Sequence, residues 1–289
     1  MYAAASRFEG TVVPFDADPP QAPALERAEG TVRVSIAAEN GRSRLDRCYQ
    51  RGSMKIRFPR QTDTDVPEGV LLNTAGGITG GDRFSVQADL DTGAALTLTS
   101  QAAEKIYRSP GGDGSVDVSL TAGEGTTFSW LPQETILYDA GRVRRTLDVA
   151  MEPDATVVLG EAVILGRAAH GETVREGLLA DRWRIRRGGK LVYADNLILI
   201  GGGGATAEGK AMLAGGKAFA SFLVIAPDSE TRIDAARDAL ETCPITSGAS
   251  AWDGMLSARM VAADGATLRK SMITFLTAIG VRVPRAWSI

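Results

Sequence analysis

Apolar and polar residues alternate with a period of two along most of this chain, and that alternation limits the fold more than any other feature. In TVRVSIAAE, Val32, Val34 and Ile36 face one way while Arg33 and Ser35 face the other. Met54, Ile56 and Phe58 alternate in the same way with Lys55 and Arg57. Similar stretches recur in RFSVQADL, AALTLTS, SVDVSLTAG, TTFSWL, RRTLDVAME, ATVVLGEAVILG, DRWRIRRG, KLVYADNLILI and KAFASFLVIA. Turns rich in Gly, Asp and Pro separate them at short intervals, as in a sandwich, a barrel or a stack of β layers. No repeat unit is evident in the sequence itself.

Two segments near the end break the rhythm. In SETRIDAARDALETC, Ile233, Ala236 and Leu240 fall at i, i+3 and i+7, and Ser229 is placed to cap the start. In DGATLRKSMITFLTAIG, Leu268, Met272, Phe275, Leu276 and Ile279 share one face, and Gly280 suits the stop. MLSARMVAAD, between them, reads as one more strand. Residues 1 to about 28 carry Pro14, Pro19, Pro20 and Pro23 and little pattern, and read as a loosely held extension. The expected organisation is a single domain over residues 29–289. It is mainly β to about residue 227, in stacked or wound multi-strand layers, with amphipathic helices at about 229–242 and 265–280.

Charge and cysteine usage narrow the function classes. A net charge of −3 gives no pull toward a polyanion or an anionic membrane. Cys48 and Cys243 lie far apart, so reduced cytosolic thiols are expected rather than a disulfide framework. The N-terminal residues lack a basic stretch followed by an apolar block, and the longest apolar runs fall far short of the roughly 20 residues that span a bilayer. A cytoplasmic protein with no membrane or nucleic-acid partner is expected.

Several local patterns imitate known chemistry and fail on inspection. The stretch LLNTAGGITGGDR offers a P-loop spacing from Gly76 to Gly81, but Asp82 and Arg83 stand where Lys and Ser/Thr must hold phosphate and Mg²⁺. A strand pattern also follows, where a P-loop opens a helix. Gly202-x-Gly204-x-x-Ala207 suggests a dinucleotide loop, yet Gly209, Gly215 and Gly216 would interrupt the crossover helix at about 1 kcal/mol each. A glycine-rich loop between strands accounts for it better. His170-Gly-Glu172 matches half of a zinc-deaminase motif but lacks the paired cysteines. No nucleophile elbow is present. Arg182, Arg184 and Arg186 form a basic strip opposite Trp183 and Ile185, and in an acidic chain this is a solvated face over a buried Trp or a protein contact.

Four blocks, in order, resemble the urease accessory protein D family (UreD, called UreH in some bacteria). The first is Gly76, Gly77, Gly80, Gly81 and Asp82, followed by Thr99-Ser100-Gln101 and then Lys105, Tyr107, Arg108 and Ser109. Trp130, Leu131, Pro132 and Gln133 resemble the family's Trp-x-Pro-Gln segment. Glu161, Leu165, Gly166, Arg167, Gly171 and Glu172 resemble its acid, apolar run, Leu-Gly-Arg and Gly-Glu. One departure is Asn73-Thr74-Ala75, where many members carry a proline ahead of the glycines. The resemblance runs from about Gly30 to the C-terminus. It implies a mainly β fold and a non-enzymatic chaperone that binds apo-urease and joins accessory proteins F and G. Together these deliver Ni²⁺ to the urease centre.

The ligand inventory fits that implication in a specific way. Ni²⁺ favours imidazole and thiolate, but the chain holds one His and two Cys, so no tightly bound cofactor is expected and Ni²⁺ only transiently. A loose path of carboxylates and water suits a carrier that must release its ion. Glu161 and Asp195 interrupt apolar strands, and with Asp82, positioned by the glycine loop, they form the expected path. Each acid has an alternative role in a structural pair with an arginine, Arg167 being the natural partner. A scaffold that docks F and G onto urease without conducting metal also remains open. Exposed apolar faces that partners cover make self-association of the lone chain expected.

Overall fold

The computed structural model of the protein describes residues 26–60, 64–167, 170–201 and 213–288. Strands occupy the alternating stretches. In chain order they begin with β1 (Glu29–Glu39), β2 (Arg42–Gly52), β3 (Met54–Arg57), β4 (Glu68–Asn73), β5 (Arg83–Leu90) and β6 (Ala95–Ser100). Next come β7 (Glu104–Ile106), β8 (Gly114–Ala122), β9 (Thr127–Trp130), β10 (Thr135–Leu137), β11 (Gly141–Met151) and β12 (Thr156–Leu165). The last are β13 (Gly177–Arg187), β14 (Lys190–Ile200), β15 (Ala218–Ile225), β16 (Thr246–Trp252) and β17 (Met255–Ala262). The helices α1 (Ile233–Glu241) and α2 (Gly265–Ala278) lie on either side of β16 and β17 in the sequence.

Two sheets form. The first has the order β14-β13-β11-β8-β5-β1-β2, and the second β16-β17-β15-β12-β9-β6-β4-β3, with β10 joining β12 and β7. β1, β5, β8, β11 and β13 run parallel, as do β4, β6, β9 and β12. From β5 to β13 the chain passes back and forth between the sheets, so successive coils stack as in a solenoid. The expectation of wound β layers is met by this stack rather than by a barrel or a simple sandwich.

Burial explains why the second sheet reads as nearly continuous apolar sequence. Val157, Leu159 and Val163 on β12 face the first sheet within the larger core cluster. Val158 and Ala162 face the other way, onto Leu268, Met272, Phe275 and Leu276 of α2. Strands covered on both faces lose the polar half of their alternation. β2 is the opposite case, exposed along almost its full length at the edge of the first sheet.

The helices lie where the period predicts, with two corrections. Ser229 does not cap α1: it is buried in a short 3₁₀ turn ahead of the helix, and its hydroxyl donates back to the Val224 carbonyl at 3.3 Å. At α2, Asp264 is the cap, accepting from the Thr267 amide at 2.8 Å, and Gly280 at φ +72° ends the helix as expected. The segment between the helices holds two strands instead of one. Asp253 and Gly254, at φ +48° and +71°, make the tight turn of a β16–β17 hairpin. The expected extension over residues 1 to about 28 falls almost wholly outside the described residues, as does most of the glycine-rich loop after Gly201.

Candidate functional site

Strand parity places a set of charges between the sheets. On β12 the inward positions are Val157, Leu159, Glu161 and Val163, so the carboxylate occupies an apolar register. On β11 the same parity gives Val143, Arg145, Leu147 and Val149, and on β13 it gives Leu179, Asp181, Trp183 and Ile185. Arg145 and Asp181 are register partners on adjacent parallel strands. The Arg145 guanidinium donates to Asp181 Oδ2 at 2.5 Å, to Glu161 Oε2 at 2.8 Å and to Thr135 Oγ1 at 2.9 Å. Trp130 Nε1 donates to the other Glu161 oxygen at 2.7 Å. The Arg145 Nε is buried with no hydrogen-bond partner among the described residues.

Burial and charge act against one another here. Burial pushes the Glu161 carboxyl above the ordinary range and the Asp181 charge adds to this, while Arg145 and Trp130 oppose it. Burial also disfavours the charged guanidinium of Arg145, yet the carboxylates of Asp181 and Glu161 more than offset it and hold it above its usual value. The cluster is therefore a hydrogen-bonded triad in which Arg145 opposes the effect of burial on Glu161.

A cavity of about 200 Å³ opens beside the triad, with Glu161, Arg145 and Asp181 in its wall and Ile78, Phe84 and Glu104 farther round it. Glu104 accepts from the Asn73 amide at 3.2 Å, and burial raises its carboxyl to about 7. A narrower void of about 10 Å³ shares the same three charged residues and adds Asp195 and Ser221. Asp195, partly exposed, is ion-paired with Arg259 of β17 across the sheets. Glu161 and Asp181 thus line both voids, Glu104 the first and Asp195 the second. Among the described residues no group of three or more His, Cys, Asp or Glu is placed to hold a metal ion.

The sequence-predicted residues divide between this site and its frame. Glu161 and Asp195 line the voids; Asp82 lines neither. Its two oxygens accept from the backbone amides of Ala28 at 2.9 Å and Thr79 at 2.8 Å, which pins the glycine loop to the start of β1. A Cβ at Gly77 would stand 2.3 Å from the Tyr107 ring, and one at Gly80 2.0 Å from Ser109 Oγ. These glycines let the loop lie against the Tyr107–Ser109 block. In the Trp-x-Pro-Gln segment, Trp130 holds Glu161, Pro132 lines the cavity, and Gln133 donates to the carbonyls of Gln101 and Ala286.

The expected pairing of Arg167 with the interior acids is not found. Arg167 follows Gly166 at φ +75° out of β12 and forks onto Glu172 at 2.9 and 3.1 Å. The partners of Glu161 and Asp195 are Arg145 and Arg259. Proximity in sequence misled here, because the closest cations come from other strands. Arg145, Asp181 and Glu104 were missed, although a charge at an apolar register of an alternating strand is the signal for the first two.

Comparison with known proteins gives the family. A family model described as UreD urease accessory protein matches residues 28–288. A protein of Azorhizobium caulinodans named Urease accessory protein UreD is 44% identical over 269 residues, covering 93% of this chain and 99% of the relative. One of Chelativorans sp. with the same name is 46% identical over 268 residues, covering 92% and 95%. One of Bradyrhizobium diazoefficiens is 42% identical over 261 residues, covering 90% and 94%. With both chains matched almost end to end, this protein belongs to the UreD family of urease accessory proteins.

Proposed function

We propose that this protein is a non-enzymatic chaperone of urease maturation. It binds apo-urease and, with accessory proteins F and G, supports nickel insertion in the cytoplasm. In this reading Ni²⁺ is cargo that passes between the sheets by way of weak carboxylate sites. The observation that carries it is the placement of Glu104, Glu161, Asp181 and Asp195 around two neighbouring voids between the sheets that share Glu161 and Asp181. Desolvated carboxylates seldom stabilise a fold better than apolar residues of similar size, so their presence here favours a role beyond packing. Oxygen ligands also hold Ni²⁺ loosely enough to release it, on the order of micromolar or weaker.

One observation favours the rival reading, a scaffold that docks F and G without conducting metal. Arg145 already spans Glu161 and Asp181, so the centre of the row carries its own cation. Under the conduit reading this guanidinium holds the two acids between passages, and a metal ion must take its seat for a moment.

Glu161→Lys and Glu161→Gln separate the two. Each is tested for folding, for assembly with F and G, and for urease activation in cells. The conduit reading expects both to fold and assemble, with activation lost in the lysine variant and reduced less in the glutamine one. Asp195→Lys should follow the lysine pattern. Full activation by a folded, assembled Glu161→Lys protein would leave the scaffold as the function.

A further inference from the structure

The motif blocks that the interior does not use converge on one surface concavity. It is lined by Tyr107, Arg108, Tyr138, Asp139, Arg167 and Arg175 with Glu172, and its volume is about 520 Å³. The two tyrosine rings meet edge to face, 5.2 Å between centroids, and Tyr107 is tied by its hydroxyl to the Gly76 carbonyl at 3.1 Å. The Arg167 guanidinium lies 4.5 Å over the Tyr138 ring. These contacts fix the wall in place, and the glycine loop described above lies against it.

Its acids are consumed in building it. Asp139 accepts from the backbone amides of Arg175 at 2.7 Å and Glu176 at 3.1 Å, which hold its carboxyl below the ordinary range. Glu172 takes both hydrogen bonds of the Arg167 fork and is likewise held low by them. The cations are not consumed to the same degree. Arg108 is 70% exposed and reaches Asp139 only at 3.4 Å, and the exposed guanidinium of Arg175 is in no ion pair among the described residues. Three arginines thus stand over two carboxylates, of which Glu172 is fully engaged and Asp139 offers Arg108 only its second oxygen.

We propose that this concavity is a docking site for an acidic segment of a partner protein. Arg108 and Arg175 receive its carboxylates, and the Tyr107 edge receives the adjoining apolar stem. Guanidinium forks suit carboxylates geometrically, and the preset wall removes much of the ordering cost of binding. The proposal stands apart from the interior path, since none of its residues lines the voids that hold Glu161 or Asp195.

The test uses a fluorescein-labelled hexaglutamate peptide titrated into the full chain at low and at high salt, with hexalysine as the control. Saturable binding of hexaglutamate alone is expected, weakened by salt and by roughly tenfold or more in an Arg108→Glu, Arg175→Glu double variant. Circular dichroism should show that variant folded, because both side chains are exposed. Glu161→Gln should bind the peptide as the unaltered protein does. Absence of saturable binding, or equal binding by the double variant, overturns the proposal. So does inorganic phosphate that competes as well as the peptide, which would mark a simple anion site.

Discussion

Arg145 of β11 holds the two sheets together by charge: its guanidinium reaches Glu161 on the second sheet at 2.8 Å and Asp181 on its own sheet at 2.5 Å. Removing the cation leaves two largely buried carboxylates without their shared partner. Arg145→Met should therefore lower unfolding free energy by about 3–5 kcal/mol in urea titrations near neutral pH. Without the arginine the Glu161 carboxyl is pushed up further, so the loss should shrink as pH falls and that acid protonates. A variant as stable as the unaltered protein at neutral pH would show the triad to be dispensable to the fold.

Glu104 gives a second pH signature, of calculable sign. Its carboxyl titrates near 7 in the folded chain, against 4.5 for an unburied glutamate. The folded state then keeps a proton that the unfolded chain gives up between those values. The group's contribution to stability is present below the lower value and lost as pH rises through the higher one. Glu104→Gln keeps the shape and removes the titration. The two proteins should match in acid, diverge between about pH 4.5 and 7 and stay apart above that, with the glutamine form more stable by on the order of 3 kcal/mol. Parallel profiles would mean that the carboxylate is solvated.

The glycine loop supplies a contrast between neighbours. A Cβ at Gly77 would press on the Tyr107 ring at 2.3 Å and on the Lys105 carbonyl at 2.8 Å, whereas at Gly76 nothing lies within 4 Å. Gly76 sits at φ +81°, so alanine there meets backbone strain alone, about 1 kcal/mol. Gly77→Ala should cost more, about 2–3 kcal/mol, and should loosen Tyr107. Thermal unfolding and tyrosine fluorescence together report both effects. Equal losses at the two positions would remove the close approach as the reason for the second glycine.

α2 is the cover of the second sheet, and Phe275 is its fully buried centre, 5.3 Å from the Phe222 ring. Phe275→Ala should cost about 3–5 kcal/mol by cavity formation and exposure of apolar surface. A change below about 1 kcal/mol in urea unfolding would mean that the helix is not packed as described.

The fold was legible where one period dominated. α2 announced itself because Leu268, Met272, Phe275 and Leu276 share a helical face. β16 was not seen, since TSGASAW is small, polar and mostly exposed, although the Asp253-Gly254 turn that closes its hairpin was in plain view. At the site, Glu161 and Asp195 stood out against apolar neighbours. Arg145 was hidden in RVRR, and Asp181 in the basic strip that follows it, because neighbouring charges masked their parity. The pairing with Arg145 was beyond a local reading: it depends on two coils coming to face each other.

The parallel stacking of β8, β11 and β13 has a consequence for how such a chain can vary. Strand neighbours are about 4.8 Å apart whatever their side chains, so the interior charges are spaced by the backbone. What decides whether a residue joins that row is only whether its position along the strand is odd or even. An insertion of one residue early in β11 or β13 would turn Arg145 or Asp181 outward and send an apolar side chain into solvent. The interior is thus written in a reading frame of two, and length can drift at the corners but not within the coils.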